Sequence, residues 1–126
     1  MKKNILVVDD DVDVQFQMKT ILGEEGYEPM VADNAEMAWD LLEKEPVDLI
    51  LLDVMMKKDS DGFNFAQKMK GDKRFKDIPI IMVTAVNQKS PFKFGTATDG
   101  DFLPVEMFME KPIDPEKVLQ SVHRFI

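Results

Sequence analysis

Short apolar runs constrain the fold of this chain more than any other feature of its sequence. They cover residues 5–8, 49–52, 78–83 and 105–109, and a weaker run covers residues 27–32. Their apolar residues are nearly continuous instead of alternating with polar ones, which is typical of strands covered on both faces, and such sheets are usually parallel. We therefore predict a parallel sheet of four buried strands and a fifth, weaker one.

Segments with a helical spacing of apolar residues separate these runs. They fall at residues 14–22, 35–42, 63–69 and 118–125. Gly23 and Gly26 are expected to end the first helix, and Pro115 to open the last. Asp33 stands three residues before Glu36, which predicts a capping box at the second helix. The alternation predicts an α/β fold: a doubly wound, five-stranded parallel sheet with helices on both faces.

One stretch breaks the alternation. Prolines, glycines and aspartates interrupt any helical period between residues 87 and 104. We expect the fourth helix of the pattern to be irregular here or replaced by a loop. Nothing in the sequence looks like an interdomain linker, and 126 residues are enough to bury one core without disulfides. Residues 1–126 are therefore expected to form one domain.

Composition excludes several classes of protein. The chain has no cysteine, so disulfides, thiolate zinc sites and cysteine nucleophiles are ruled out. A net charge of −8 argues against direct nucleic-acid binding, which depends on lysine and arginine. No apolar stretch approaches the roughly 20 residues that span a bilayer, and the first apolar run is too short for an export signal. A soluble, cytoplasmic protein without membrane contact is the expectation.

Polar side chains follow the predicted strands at the point where each strand ends. Residues 9–11 are aspartates after the first strand, Asp53 ends the third, Thr84 ends the fourth and Lys111 follows the fifth. Because the carboxyl ends of parallel strands meet at one edge of a sheet, we expect these groups to gather there. Clustered carboxylates repel one another unless a divalent cation binds them, and oxygen ligands of this kind suit Mg²⁺.

This set of groups suits phosphoryl transfer. Asp53 can attack phosphorus to give an acyl phosphate. The cation and Lys111 would neutralise charge on the phosphoryl oxygens, and the Thr84 hydroxyl would donate a hydrogen bond to one of them. The new charge would draw a hydroxyl and a loop toward the site, which is a switch.

Five short strings give the chain a resemblance to a known family. They are LVVDDD at 6–11, LLDVMM at 51–56, DGF at 61–63, VTA at 83–85 and EKP at 110–112. In this order and at roughly this spacing they resemble the response-regulator receiver domains of two-component signalling systems, of the single-domain, chemotaxis-regulator type. The resemblance implies a flavodoxin-like sheet with strand order 2-1-3-4-5.

The resemblance also implies a role for each site residue. Asp53 would be the phosphoryl acceptor and a metal ligand, Asp10 a direct Mg²⁺ ligand, Asp9 a ligand through metal-bound water, and Met55 a ligand through its backbone carbonyl. Thr84 matches the switch hydroxyl of the family.

Two further positions match the family. Lys111 corresponds to the lysine that contacts the phosphoryl group, and Phe108 to the aromatic switch residue, although it has no hydroxyl. The implied partners are a histidine kinase or phosphotransfer protein and a downstream protein target, within a phosphorelay. Such a receiver is not an enzyme acting on a separate substrate, although it catalyses its own phosphorylation and dephosphorylation, and it would be a monomer or weak dimer.

Two loops depart from the family pattern. The one at residues 57–61 is longer than usual and lacks the family proline, and residues 87–104 lengthen the interval from Thr84 to Lys111 by about five residues. The second departure puts the usual output surface in doubt. A start at Met1 close to the first strand favours a stand-alone regulator over a module of a larger protein.

Alternative functions remain open from the residues alone. Residues 9–13 also resemble the nucleophile motif of haloacid dehalogenase-like phosphatases, and a receiver-like binding module that is never phosphorylated would need no acceptor. Asp11 is expected to cap the first helix whatever the function. His123 is expected to interact with the dipole of the last helix, and Trp39 to pack at or near the core.

Overall fold

The computed structural model describes residues 2–53, 61–85, 107–111 and 113–126. The predicted irregular segment at 87–104, the predicted long loop up to residue 60, and Met55 lie outside these ranges. So do the side chains of Thr84, Phe108 and Lys111, whose backbone positions are described within strands.

Five parallel strands form one sheet, as predicted. They are β1 (Asn4–Val8), β2 (Glu28–Ala32), β3 (Leu49–Asp53), β4 (Ile80–Ala85) and β5 (Met107–Lys111), and their spatial order is β2-β1-β3-β4-β5. All four neighbouring pairs are parallel. The doubly wound α/β class and the strand order 2-1-3-4-5 are confirmed.

The last two strands lie about two residues further along the chain than the apolar runs indicated. β4 starts at Ile80 because Pro79 has no N–H for the ladder, and only its carbonyl takes part, accepting from the Ile50 N–H at 3.0 Å. β5 ends with Glu110 and Lys111, which pair with Thr84 and Ala85. Strand pairing therefore continues into the polar edge, where hydrophobic patterning gives no signal.

Four helices are present in the described part of the chain, and they cover the two faces of the sheet. They are α1 (Val12–Glu24), α2 (Ala35–Lys44), α3 (Asp61–Lys70) and α4 (Pro115–His123). One core cluster joins the strands to α2 and α3, and a second joins them to α1 and α4. Successive residues of β1 alternate between the clusters, with Leu6 and Val8 in the first and Ile5 and Val7 in the second. Burial on both faces explains why β1 and β3 lack polar alternation, whereas β2 is buried only at Ala32.

The end of α1 differs from the prediction. Gly23 was expected to stop the helix, but the helix includes it and ends at Glu24. Gly26 makes the turn, with a φ of 95° that side chains rarely tolerate. The Tyr27 N–H then donates to the Leu22 carbonyl at 3.0 Å, so the turn closes against the helix end.

The capping residue of α2 also differs from the prediction. The predicted capping box of Asp33 and Glu36 is wrong, because the cap is Asn34, whose side chain accepts from the Met37 N–H at 2.8 Å. Asp33 instead accepts a hydrogen bond from Gln15 of α1 at 2.7 Å. Asn34 directly precedes the helix and is a strong capping residue, so Asp33 is not needed as the cap. The Asp33 side chain can therefore bond Gln15 near the carboxyl edge of the sheet.

The cap of α1 and the opening proline of α4 agree with prediction. Asp11 caps α1 by accepting from the Asp13 N–H at 2.9 Å. Pro115 occupies the first turn of α4 behind the cap residue Asp114. None of the helices in the described ranges is long and apolar enough to cross a membrane.

His123 lies in the last turn of α4, where a cation would suit the helix dipole. Its Nδ1 lies 2.9 Å from the Tyr27 hydroxyl, and its Nε2 lies 3.4 Å from Glu25. Burial, and then the charge of Glu25, raise the pKa of Tyr27. These contacts tie α4 to the turn between α1 and β2, which is a structural role.

We predict that Asn34→Ala lowers the free energy of unfolding by about 1 kcal/mol, the usual cost of a lost N-cap. Asp33→Ala serves as the matched control and should cost clearly less, because it removes only a solvent-exposed hydrogen bond. Urea denaturation measures both. A larger cost for Asp33→Ala would restore the capping-box assignment.

Candidate functional site

The register of the central strands brings the ends of β1 and β3 side by side. Val8 pairs with Leu52, so Asp9 and Asp53 are the next residues on two adjacent strands. The Asp9 N–H donates to the Ala32 carbonyl at 3.1 Å, which extends the ladder toward β2 by one residue. The backbone therefore fixes both aspartates at the carboxyl edge of the sheet.

Three carboxylates gather at this edge. One oxygen from each of Asp9, Asp10 and Asp53 lies within 4.8 Å of the others. Asp9 is 2% exposed and Asp53 is 3% exposed, whereas Asp10 is more open to solvent. The sequence prediction that these three residues converge is therefore correct in geometry.

The electrostatics of the cluster favour a divalent cation. Burial and neighbouring negative charge both disfavour ionised carboxylates, and a bound cation relieves both effects. Two buried carboxylates and a more exposed one form an all-oxygen donor set, and such a set suits Mg²⁺, which prefers oxygen ligands and keeps several waters. The residues present therefore fit this metal.

Local hydrogen bonds hold the Asp9 turn in place. One Asp9 carboxylate oxygen accepts from the Asp11 N–H at 2.9 Å. Gln15, one turn into α1, donates through its side-chain amide to the Asp9 carbonyl and to Asp33. Sequence reasoning missed Gln15 and Asp33 as supports of the site. Asp33 could have been found, because it also follows a strand, but nothing in the sequence marks Gln15.

The other predicted site positions lie on β4 and β5 at the same edge. Asp53 pairs with Val83, the residue before Thr84, and Thr84 pairs with Glu110. Lys111 pairs with Ala85 at the end of β5. The backbone thus brings the Thr84 and Lys111 positions to the edge that carries Asp53, with β4 directly beside β3 and β5 next to it.

We predict that Asp10→Asn raises the free energy of unfolding by about 1 kcal/mol when divalent ions are removed with a chelator. Repulsion between unit charges up to 4.8 Å apart, as in this cluster, is roughly 1 kcal/mol even at the dielectric constant of water. Two such neighbours outweigh the fraction of a kcal/mol that a negative charge near the start of α1 contributes. Urea denaturation provides the measurement.

Asp13→Asn is the matched control for this change. Asp13 lies in the first turn of α1, outside the acidic cluster, so its neutralisation should slightly lower stability. Equal effects of the two substitutions would contradict repulsion within the cluster.

Comparisons with known proteins agree with this geometry. The family model of the response regulator receiver domain matches residues 5–123. The chain therefore belongs to the response-regulator receiver family, whose members work in two-component signal transduction.

Curated relatives include a response regulator and a transcriptional regulatory protein. The chain is 31% identical over 124 residues to response regulator Rre1 of Synechocystis sp., covering 98% of this chain and 51% of that protein. It is 29% identical over 122 residues to the phosphate regulon transcriptional regulatory protein PhoB of Escherichia coli, covering 97% of this chain and 51% of PhoB. The chain thus spans about half the length of these relatives.

Solved structures share the whole fold. The chemotaxis protein CheY4 of Vibrio cholerae matches with a TM-score of 0.84 and 25% identity, covering 100% of both chains. A CheY-like receiver domain protein of Methanospirillum hungatei matches with a TM-score of 0.81 and 27% identity, covering 98% of this chain and 93% of the other.

Proposed function

We propose that this receiver accepts a phosphoryl group on Asp53 from a histidine kinase or phosphotransfer protein and thereby switches a protein-contact surface. The observation that carries the proposal is the buried carboxylate of Asp53 within 4.8 Å of two further carboxylates. A buried acidic cluster of this kind suits a metal-assisted reaction at one of its members.

The chemistry starts at a carboxylate oxygen of Asp53. It attacks the phosphorus of a phosphohistidine, the P–N bond breaks, the electron pair leaves on the imidazole nitrogen, and an acyl phosphate forms. Asp10 and Asp53 would hold Mg²⁺ directly, Asp9 through water and Met55 through its carbonyl. When bound, Mg²⁺ supplies positive charge against the carboxylates and the phosphoryl oxygens.

Two groups on the neighbouring strands complete the proposed site. The ammonium of Lys111 would neutralise phosphoryl charge, and the Thr84 hydroxyl would donate to a phosphoryl oxygen. In the proposed switch, movement of Thr84 leads to a change at Phe108, on β5 beside β4. The receiver would catalyse only its own phosphorylation and dephosphorylation.

We predict that acetyl phosphate with Mg²⁺ adds one phosphoryl group to the wild-type chain and none to Asp53→Asn. Intact-protein mass spectrometry measures the adduct. Asp13→Asn is the control, since this carboxylate lies outside the cluster and its loss should leave labelling unchanged. Retention of the adduct in Asp53→Asn would move the acceptor to another residue.

Asp9→Asn and Asp53→Asn together distinguish a receiver from the phosphatase alternative. Such an enzyme would use Asp9 as its nucleophile, so it would hydrolyse small phosphate esters with turnover that is lost in Asp9→Asn and kept in Asp53→Asn. A binding module that is never phosphorylated would show neither an adduct nor turnover.

The start of α1 offers a contact surface for the phosphoryl donor. Val12 and Phe16 lie one turn apart on the same side of α1 and are 70% and 71% exposed. The helix begins directly after the acidic cluster, so a donor protein that reaches Asp53 would meet these side chains. Aromatic side chains such as that of Phe16 are enriched at protein interfaces.

We predict that Phe16→Ala slows phosphoryl transfer from a histidine kinase that labels the wild-type chain by about tenfold, the effect of losing a contact of about 1.4 kcal/mol. Labelling by acetyl phosphate should not change, because that small donor needs no protein contact. Met37→Ala, which truncates an exposed apolar residue on α2, is the control. Equal slowing with both donors would show that Phe16 supports the structure of the phosphorylation site and does not contact the kinase.

A further inference from the structure

A groove between α2 and α3 has a composition that phosphoryl transfer does not explain. Its volume is about 330 Å³, and its lining includes Glu36, Trp39 and Asp40 from α2 and Phe65 and Lys68 from α3. Phe65 is buried and Trp39 is partly buried, whereas the three charged residues are exposed. The groove therefore combines an aromatic interior with a charged rim.

The indole of Trp39 is held in place by its neighbours. Its Nε1 donates to Glu43 at 3.0 Å. The rings of Phe65 and Phe75 stand nearly perpendicular to it, at centroid distances of 6.1 and 5.3 Å. Because these contacts fix the ring, its surface is preorganised for a ligand.

A cation of the chain itself already uses this surface. The Lys68 ammonium nitrogen lies 4.1 Å from the centroid of the Trp39 ring, well within the range of a cation–π interaction. Glu36 and Asp40 are four residues apart on α2, so they share one side of the helix and line the same groove. An aromatic face beside two carboxylates attracts a positive charge.

We propose that the groove binds an arginine side chain of a partner protein, whose guanidinium displaces Lys68 from Trp39 and pairs with Glu36 and Asp40. Arginine suits the groove better than lysine, because its guanidinium is planar, weakly hydrated and stacks on aromatic rings. The net charge of −8 also favours a basic partner. Lys68 is then a built-in competitor for the site.

The displaced lysine can return to solvent. Lys68 is exposed, so water can solvate its ammonium when the guanidinium takes its place on Trp39.

Trp39 is the only tryptophan of the chain, so its fluorescence reports directly on the groove. The probe is a tri-arginine peptide with blocked ends, and the neutral control is the tri-citrulline peptide of the same shape. We expect a saturable change in Trp39 emission with the arginine peptide and none with the citrulline peptide. No phosphorylation is involved, so the outcome is independent of the proposed function.

Two variants test the mechanism. Lys68→Ala should bind the arginine peptide about 2- to 5-fold more tightly, because it removes a competitor of the strength of an exposed cation–π contact. Lys117→Ala on α4 is the charge-matched control and should not change affinity. The double variant Glu36→Gln, Asp40→Asn should weaken binding at least tenfold, unlike the control pair Glu24→Gln, Glu116→Gln on the helices of the other face.

Several results would overturn the proposal. Among them are an absent or non-saturable emission change, equal binding of the citrulline peptide, and unchanged or weaker binding by Lys68→Ala. Equal weakening in both carboxylate pairs would reduce the effect to general attraction by net charge, which also overturns it. Urea denaturation of each variant confirms that the comparison is made on folded protein.

Discussion

Mutual repulsion of carboxylates is the constraint on which the rest of this structure depends. Asp9 and Asp53 are almost fully buried, and a third carboxylate from Asp10 lies within 4.8 Å of both. Bringing like charges together out of water costs free energy that the rest of the fold must offset. In the proposed function, a bound cation neutralises the carboxylates and a phosphoryl group is attached to Asp53. The cost of the cluster is then explained by its chemistry.

Burial of the apolar sheet offsets the free-energy cost of this arrangement. Strand β3 is buried at all five positions, and its last residue is the acidic Asp53. Core clusters on both faces of the sheet leave little freedom for the strands to slide or separate. The packed strands therefore fix the positions of Asp9 and Asp53, which lie almost fully buried at the carboxyl edge.

Most of the fold was predictable because buried parallel strands appear in a sequence as nearly unbroken apolar runs. The limits of β4 and β5 were not, since both strands continue by pairing beyond their apolar runs, through Thr84–Ala85 and Glu110–Lys111. The α2 cap was misassigned because Asp33 and Asn34 are both good caps by type, and only the tertiary contact of Asp33 with Gln15 separates them.

The site was predictable to a similar extent and for a related reason. Asp9, Asp10 and Asp53 each follow or end an apolar run, so topology alone brings them together. The role of Gln15 and the groove around Trp39 were not predicted from the sequence, because both depend on contacts between separate elements. Contacts of that kind leave no periodic trace in a sequence.

The most direct test of the central claim is a crystal structure grown with Mg²⁺ and beryllium fluoride, which mimics a phosphoryl group. The account predicts beryllium bonded to a carboxylate oxygen of Asp53 and Mg²⁺ at about 2.1 Å from oxygens of Asp10 and Asp53. Beryllium bound at another residue, or Mg²⁺ absent from the three carboxylates under these conditions, would contradict it.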